Sequence, residues 1–287
     1  MKNFKIKSYC KINLFLKVLN KLNSGYLNII SLITFCDLHD VISVYKIESL
    51  KDKISFSGKF KTGINNKFNT ATDVLNLLRK NNLLKNQSFK INIKKNIPHG
   101  SGLGGGSSNA ANLLNFFNKK MKLKLKENKI KKFARQIGFD VPIILKKKNT
   151  FLTGNKDKIL RLNKRFKLNI LIVYPNIICS TKKIYQSNTK SNLTKLKYSF
   201  HKNNTKKLIN FLKNQNNDLE NTLIKIYPKI RKIIDFIKSQ KGCYFSRISG
   251  SGSACIGIFS NRTNAIHAQK LTKIKYPKYW CVVSKTI

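Results

Sequence analysis

Residues 98–111 read PHGSGLGGGSSNAA and contain five of the chain's fourteen glycines. Before them, from residue 89 to residue 93, apolar side chains alternate with polar ones, which is the period of a β-strand. After them, alanine, leucine and phenylalanine recur at helical spacing. A glycine loop between a strand and a helix predicts a phosphate site, because main-chain N–H groups can curl around an anion there. We expect Ser107 or Ser108 to cap the helix.

Several other interpretations of this loop are open. A flexible linker or a turn without a ligand is disfavoured, because linkers are not flanked by an apolar strand and an alanine-rich helix. The glycine spacing over residues 100–105 satisfies the dinucleotide pattern, but the expected acidic residue falls in a lysine-rich stretch around Glu127. A Walker loop needs lysine after its last glycine, whereas Gly106 is followed by Ser107. The chain also lacks the Asp-Phe-Gly motif of protein kinases.

The chain has 287 residues and a mass of 33.0 kDa, which is enough for two domains with a substantial core. The apolar run at residues 168–174 is interrupted and too short to span a bilayer. The first residues alternate like a strand and lack the apolar segment of a signal peptide. We therefore expect a cytoplasmic protein without a membrane partner.

Lysine and arginine number 58 against 11 acidic residues, which gives a formal net charge of +47. Such a charge is typical of nucleic-acid-binding proteins, but it also arises from compositional drift that places lysine on solvated faces. The lysines are spread along the whole chain, and no aromatic RNA-binding signature or zinc module is present. We favour drift and predict no specific nucleic-acid partner, with salt-sensitive, non-specific binding of polyanions.

The six cysteines form no C-x-x-C pair, and the four histidines have no ligand spacing. The sequence therefore predicts reduced thiols and no protein-bound metal site.

The alternation of patterns predicts a mixed structure. Strands are expected at residues 4–8, 12–19, 27–35, 41–45, 168–174 and 280–284, and helices at residues 69–80, 128–137, 205–213, 227–240 and 263–272. Lys11 adjoins the second strand, where a lysine normally faces solvent. A second glycine-serine loop occupies residues 249–253. A lysine-rich stretch suggests a change of domain near residue 150.

Asp140 lies between apolar residues at a predicted junction, since Pro142 disfavours helix before it and should introduce a strand. Such a carboxylate is either a structural turn residue or an active-site group. Most other acids are expected in turns or on exposed faces: Asp37, Asp40, Glu48, Asp52, Glu127, Asp157 and Asp235.

The glycine loop resembles that of the galactokinase, homoserine kinase, mevalonate kinase and phosphomevalonate kinase (GHMP) superfamily. In particular, ordered blocks resemble the 4-diphosphocytidyl-2-C-methylerythritol kinases. These blocks are YCKINLFL at residues 9–16, SGY at 24–26, the glycine loop at 98–111, GFDVP at 138–142, NDLE at 217–220 and RISGSG at 247–252.

The resemblance implies an α+β, two-domain GHMP kinase fold. Residues 1–150 would form an N-terminal ATP-binding and catalytic domain, and residues 151–287 a C-terminal domain flanking a cleft. It further implies phosphorylation by ATP of the 2-hydroxyl group of a cytidine diphosphate derivative, in the non-mevalonate isoprenoid pathway. Mg²⁺ would arrive with the ATP, and the enzyme would be a monomer or homodimer.

The resemblance also assigns residues. Asp140 would accept the hydroxyl proton, and Lys11 would favour its ionised form and stabilise charge. Asn13, Tyr26 and Tyr185 would bind the substrate, with the two tyrosines stacking on cytosine. Asn69 falls where the family has an adenine-side asparagine. The nucleotide would be held by Pro98, His99, Gly100, Ser101, Gly102, Leu103, Gly104, Gly105, Gly106, Ser107 and Ser108.

The sequence departs from the family pattern at a few positions. Leu27 replaces a histidine that helps to recognise cytosine, and the loss of a neutral hydrogen bond costs about 0.5–1.5 kcal/mol. Cys10 replaces a small alanine, and Asn109 replaces an aspartate. The segment at residues 154–156, with Asn155 at its centre, lacks the second glycine that the family has there. These changes affect the expected substrate affinity more than the chemistry.

Two alternatives remain open from sequence. The chain could phosphorylate another small alcohol, such as homoserine or mevalonate, or it could be a nucleic-acid-binding protein on a decayed kinase scaffold. The presence of Lys11, Asp140 and the loop glycines argues against the second.

Overall fold

The computed structural model describes residues 3–21, 27–154, 159–188 and 204–287. Its strands are β1 (Asn3–Lys21), β2 (Leu27–Ile47), β3 (Lys53–Ser57), β4 (Ser88–Lys94), β5 (Thr150–Thr153), β6 (Ile159–Arg161), β7 (Asn169–Tyr174), β8 (Cys243–Ile248), β9 (Cys255–Phe259) and β10 (Trp280–Lys285). Its helices are α1 (Thr70–Lys80), α2 (Gly105–Lys120), α3 (Glu127–Ile137), α4 (Val141–Ile144), α5 (Thr181–Gln186), α6 (Thr205–Lys213), α7 (Glu220–Ile226), α8 (Lys229–Lys238) and α9 (Arg262–Lys275). The predicted mixture of helices and sheets is confirmed.

Some boundaries differ from the sequence prediction. The strands expected at residues 4–8 and 12–19 form the single strand β1, and the two expected at 27–35 and 41–45 form β2. The strand expected after Pro142 is wrong, because the chain there forms the short helix α4. Pro142 lies in its first turn, where the missing N–H would have had no intrahelical partner.

The described residues divide into two compact units that are discontinuous in sequence. The first unit holds residues 3–10, 38–99 and 104–147. The second holds residues 11–37, 100–103 and 148–287, apart from the undescribed ranges. The chain thus changes unit within β1, within β2, twice within the glycine loop and once more between residues 147 and 148. The domain boundary expected near residue 150 stays a prediction.

The first unit is a sheet covered by helices. Within it, β3 runs parallel to β4, and β4 pairs antiparallel with the end of β2, so that Ile42 lies opposite Ile93. The alternating apolar residues of β4 are buried as expected, and Phe89 meets Phe117 of α2 with ring centroids 5.0 Å apart. This core positions α2, and α1 packs beside it.

The second unit contains a four-stranded antiparallel sheet in the order β10-β7-β9-β8. Helices α8 and α9 pack on this sheet, and residues 170–173 of its strand β7 are fully buried. In the same unit the beginning of β2 pairs with β5, and β5 pairs with β6. None of the helices within the described ranges is both long and apolar enough to cross a membrane.

A buried arginine connects three elements of the second unit. Arg247 is 4% exposed, and its guanidinium donates to the carbonyl oxygens of Leu14 (2.9 Å) and Leu212 (2.8 Å). Burial lowers the pKa of Arg247 to about 10, while the carboxylate of Glu220 opposes that shift. The Glu220 side chain accepts a hydrogen bond from Ile248 N (3.0 Å), and burial raises its pKa. Arg247 therefore serves the packing of β1, α6 and β8.

The raised pKa of Glu220 predicts a pH-dependent stability. Between the ordinary pKa of a glutamate and the higher folded-state pKa, the folded protein holds more protons than the unfolded chain. The free energy of unfolding should therefore fall as the pH rises through this window. Glu220→Gln should remove that slope in urea titrations from pH 4 to pH 8.

Glu127→Gln is the matched control. The Glu127 carboxylate is exposed, and hydrogen bonds from Lys131 and Lys146 lower its pKa. Its effect on stability therefore has the opposite sign: the free energy of unfolding that it contributes is lost as the pH falls through this lowered pKa. Equal slopes in the wild type and Glu220→Gln would contradict the assignment to Glu220.

Candidate active site

In the second unit, the middle of the glycine loop is anchored through its carbonyl groups. Four consecutive carbonyl oxygens accept hydrogen bonds: Gly100 from Cys179 N (2.9 Å), Ser101 from Ala254 N (3.0 Å), Gly102 from Ser249 Oγ (3.2 Å) and Leu103 from Lys11 N (3.0 Å). The carbonyl side of the loop is therefore fixed by donors from other segments of the second unit. Positive φ angles at Gly100, Gly102 and Gly104 alternate along it, as in main-chain anion nests.

Glycine is required at position 102. Its φ is +77°, and a Cβ there would lie 2.0 Å from the carbonyl oxygen of Ser249 and 2.9 Å from Gly252 N. Both neighbours are main-chain atoms that cannot rotate away. The glycine loop and the second glycine-serine loop therefore approach each other closely within the second unit.

In the first unit, the loop continues into the N-terminus of α2. The helix begins at Gly105 with Gly104 as its N-cap in the left-handed conformation, so the serine cap expected from sequence is wrong. Ser108 Oγ instead donates to Tyr9 O (2.6 Å), which fixes the helix to β1. The N–H groups of the first turn, including that of Ser107, have no carbonyl four residues before them within the helix. They can donate to an anion.

Thr70 connects the beginning of α1 to the same turn, because its hydroxyl donates to Gly106 O (2.9 Å). The adjacent Asn69 is the N-cap of α1, and its Oδ1 accepts hydrogen bonds from Ala71 N and Thr72 N, both at 3.0 Å. Asn69 thus has a structural role, and its expected contact with adenine stays a prediction.

Lys11 lies in the second unit and is buried, with 4% of its surface exposed, so the expectation of a solvent-facing lysine is wrong. Its ammonium donates to Asn13 Oδ1 at 2.6 Å. Asn13 Nδ2 donates to Ser31 Oγ (2.8 Å), and Ser31 Oγ donates to Phe15 O (2.6 Å). This chain of hydrogen bonds holds the amide oxygen of Asn13 against Lys11, a role that the sequence did not indicate.

The second glycine-serine loop joins Lys11 to the glycine loop. Ser249 Oγ accepts a hydrogen bond from Asn13 N (3.2 Å) and donates to Gly102 O (3.2 Å). A Cβ on Gly250 would lie 3.4 Å from Lys11 Nζ. Asn217 Nδ2 supports this loop by donating to Gly250 O at 2.8 Å. Asn217 belongs to the family-like block at residues 217–220, but nothing in the sequence indicated this contact.

The other predicted residues are placed less completely. Asp140 belongs to the first unit and lies half-buried before α4, whereas Lys11 belongs to the second, so their joint action stays a prediction. Tyr185 lies half-buried in α5. His99 Nε2 lies 3.0 Å from Thr62 O, and Pro98 is buried. Residues 24–26 and 155–157, with Tyr26, Asn155 and Asp157, lie outside the described residues.

Sequence reasoning missed a buried cluster in the first unit. Asp40, expected in a turn or on an exposed face, is fully buried and forms an ion pair with Lys95. Asn109 Nδ2 also donates to the Asp40 carboxylate, at 3.1 Å. A possible signal was that Asp40 interrupts a long apolar strand pattern.

All six cysteines are thiols rather than disulfides, and burial raises the pKa of Cys179 to about 11 and that of Cys243 to about 12. In the part of the chain that the structure describes, no group of three or more histidine, cysteine or acidic residues could hold a metal ion.

Each of the two glycine-rich loops lies in a segment that matches a family model. The model of the GHMP kinases N terminal domain matches residues 69–148, and that of the GHMP kinases C terminal domain matches residues 196–275.

Similar proteins extend over the whole chain. A 4-diphosphocytidyl-2-C-methyl-D-erythritol kinase from Pelagibacter ubique is 40% identical over 292 residues, covering 100% of both chains. The protein of the same name from Caldicellulosiruptor bescii is 32% identical over 276 residues and covers 94% of each chain.

Solved structures share the fold. A crystal structure of 4-(cytidine 5'-diphospho)-2C-methyl-D-erythritol kinase has a TM-score of 0.76 at 20% identity, covering 98% of this chain and 99% of that one. Homoserine kinase from Cytophaga hutchinsonii has a TM-score of 0.74 at 15% identity, covering 100% and 95%. At these identities the likeness shows the fold alone.

The close approach at Gly102 predicts a strong effect of Gly102→Ala. The strained φ costs about 1–3 kcal/mol and the overlap with Ser249 about as much again, so the free energy of unfolding should fall by roughly 2–6 kcal/mol. Chemical denaturation monitored by circular dichroism measures this loss.

Gly106→Ala is the matched control from the same loop. Gly106 is helical and exposed, and a Cβ there would lie 3.5 Å from Thr70 Oγ1, an ordinary contact. Alanine in a helix should add about 0.5–1 kcal/mol of stability. Equal stabilities of the two variants would show that position 102 does not need glycine.

Proposed function

Because the chain belongs to the 4-diphosphocytidyl-2-C-methyl-D-erythritol kinases of the GHMP kinase superfamily, we propose that it transfers the γ-phosphoryl group of ATP to the 2-hydroxyl group of 4-diphosphocytidyl-2-C-methyl-D-erythritol. This is a step of the non-mevalonate isoprenoid pathway. The observation that supports this proposal is the geometry of the glycine loop. Its carbonyl groups accept hydrogen bonds from the protein, and its end leads into the first turn of α2, whose N–H groups have no acceptor within the helix.

The residues of the loop fit a nucleoside triphosphate. Phosphoryl transfer depends on positioning and on charge stabilisation, and main-chain donors at a helix N-terminus supply both. Gly106 is exposed and leaves the first turn of α2 without a side chain at that point. Ser107, half-buried in the same turn, offers a hydroxyl group. We place the ATP phosphates along residues 98–108. Mg²⁺ bound to ATP would arrive with it and would offset part of the phosphate charge there.

Asp140 and Lys11 carry the chemistry in this proposal. As the acceptor oxygen forms its bond to the γ-phosphorus, the bond from that phosphorus to the β,γ-bridging oxygen breaks, and ADP leaves. The Asp140 carboxylate takes the proton of the acceptor hydroxyl. Lys11, oriented by Asn13, supplies a fixed positive charge that stabilises the transferring group.

The cytidine end of the acceptor is assigned to Tyr26 and Tyr185, whose rings can stack on cytosine. Leu27, at the position of the family's histidine, is 1% exposed and carries no hydrogen-bonding side chain. We therefore expect cytosine recognition here to rely on stacking and main-chain groups, with lower affinity than an imidazole would give. Asn13 is the substrate ligand next to Lys11.

We infer that the enzyme works in the cytoplasm as a monomer or homodimer. Six cysteines without a disulfide are typical of a reducing compartment.

Removing either chemical group should lower turnover by orders of magnitude. Asp140→Asn deletes the base, and Lys11→Met keeps the length of the stem without its charge. Each variant should lower kcat by about 10²- to 10⁴-fold with the fold intact, because a positioned proton acceptor or charge contributes that much. Coupled ADP-release kinetics measures the change.

Asp73→Asn and Lys17→Met are the controls, since Asp73 lies in the first turn of α1 and Lys17 lies farther along β1, 3.6 Å from Asp218. Both should keep kcat within about threefold of the wild type. A wild-type rate in Asp140→Asn or Lys11→Met would remove that residue from the mechanism.

The acceptor can be tested by competition. With ATP and equal concentrations of the cytidine substrate, homoserine and mevalonate, phosphate should appear on the cytidine substrate alone, as read by ³¹P NMR. Phosphorylation of homoserine or mevalonate instead would make the acceptor assignment wrong while leaving a GHMP kinase.

A further inference from the structure

A buried ion pair lies beside the first turn of α2 in the first unit. Asp40 of β2 is fully buried, and Lys95, directly after β4, is 2% exposed. The Lys95 ammonium binds Asp40 Oδ2. A buried ion pair is a weak source of stability, because desolvation offsets most of its attraction. Its place next to the proposed phosphate site therefore suggests a role other than stabilising the fold.

Asp40 braces the chain on both sides of the glycine loop. Its Oδ1 accepts hydrogen bonds from the main-chain N–H groups of Asn96 (2.8 Å) and Ile97 (2.9 Å), which directly precede the loop. Its Oδ2 accepts one from Asn109 Nδ2 (3.1 Å), in the second turn of α2. One carboxylate thus sets the distance between the end of β4 and the helix whose N-terminus would bind phosphate.

Lys95 lies between that carboxylate and the helix terminus. A Cβ on Gly105, the first residue of α2, would lie 3.3 Å from Lys95 Nζ and 3.0 Å from Ile97 Cγ2. Without the ammonium, an uncompensated carboxylate would stand behind N–H groups that bind an anion. Repulsion between like charges is strong in a poorly solvated site.

We propose that Lys95 is a positioning residue of the nucleotide site: its buried ammonium neutralises Asp40, so that this carboxylate braces the glycine loop without repelling the ATP phosphates. The inference rests on the proposed binding of ATP at the N-terminus of α2. In this inference Asp40 fixes the geometry of the glycine loop, and Lys95 compensates the negative charge of Asp40.

The test measures the Kd of a non-hydrolysable ATP analogue, of ADP and of AMP by calorimetry. In Lys95→Met the Asp40 carboxylate keeps three donors, on Asn96, Ile97 and Asn109, but loses its counter-charge. We expect the Kd of the ATP analogue to rise about tenfold, that of ADP less and that of AMP least, because repulsion scales with ligand charge. The KM of the alcohol substrate should stay within twofold.

The double variant Asp40→Asn/Lys95→Met separates charge from shape. An asparagine at 40 still accepts from Asn96 N and Ile97 N. Its amide can donate to Asn109 Oδ1 once the Asn109 amide turns by 180°, and no donor reaches that oxygen now among the described residues. With both charges removed, the Kd of the ATP analogue should return to within threefold of the wild type. Lys95→Gln, whose amide can donate to Asp40, is a second uncharged variant. Like Lys95→Met, it should lose affinity most for the ATP analogue, less for ADP and least for AMP.

Asp52→Asn is the control for a general loss of stability. In the same unit, Asp52 binds Arg79 (2.7 Å) and accepts a hydrogen bond from Phe89 N (2.8 Å), so it resembles Asp40 in its contacts. This variant should melt at a lower temperature with unchanged nucleotide Kd.

Three results would overturn the inference: wild-type affinity in both uncharged Lys95 variants, an equal loss for all three nucleotides, or a double variant that binds as weakly as Lys95→Met. A wild-type protein that binds no nucleotide at all would instead contradict the proposed function, and the inference with it.

Discussion

The close approach of Gly102 to the main chain at Ser249 is the constraint on which the rest of the second unit's site depends. With no side chain at 102, the two glycine-rich loops can share the Ser249 hydroxyl, which donates to Gly102 O and accepts from Asn13 N. Asn13 in turn holds the Lys11 ammonium. The shape of the glycine loop and the orientation of Lys11, the lysine proposed to act in catalysis, therefore both depend on this main-chain contact.

The charges that matter in this protein are the buried ones. Of a net charge of +47, most belongs to solvated lysines, whose mutual interactions are screened by water and salt. Lys11, Lys95 and Arg247 are 2–4% exposed, and each is held by named acceptors: an amide oxygen, a carboxylate and two carbonyls. A buried charge needs such partners because its desolvation is expensive, and for the same reason it keeps a defined position.

Local patterns predicted much of the secondary structure. The alternation at residues 89–93 corresponds to β4, and the helical spacing at 205–213 coincides with α6. Each failure has a physical cause. Pro142 entered the first turn of a helix, where its missing N–H is harmless, and Gly104 capped α2 in place of a serine because it can adopt a left-handed conformation. Asp40 was misplaced because a carboxylate in an apolar strand is buried only when a partner satisfies it, and that partner, Lys95, is remote in the sequence. Lys11 was misplaced because its neighbour Asn13 is held in place by Ser31, on another strand.

By itself, the sequence determined the elements that depend on near neighbours: the strand, glycine loop and helix around residues 89–117, and the ordered motifs that mark the family. Only the tertiary structure decided which polar groups meet. Asp40 and Lys95 are 55 residues apart in the chain, and Ser249 and Gly102 are 147 apart. Periodicity and spacing act over a few residues, whereas a buried hydrogen bond or ion pair depends on which remote segments the folded core brings within about 3 Å.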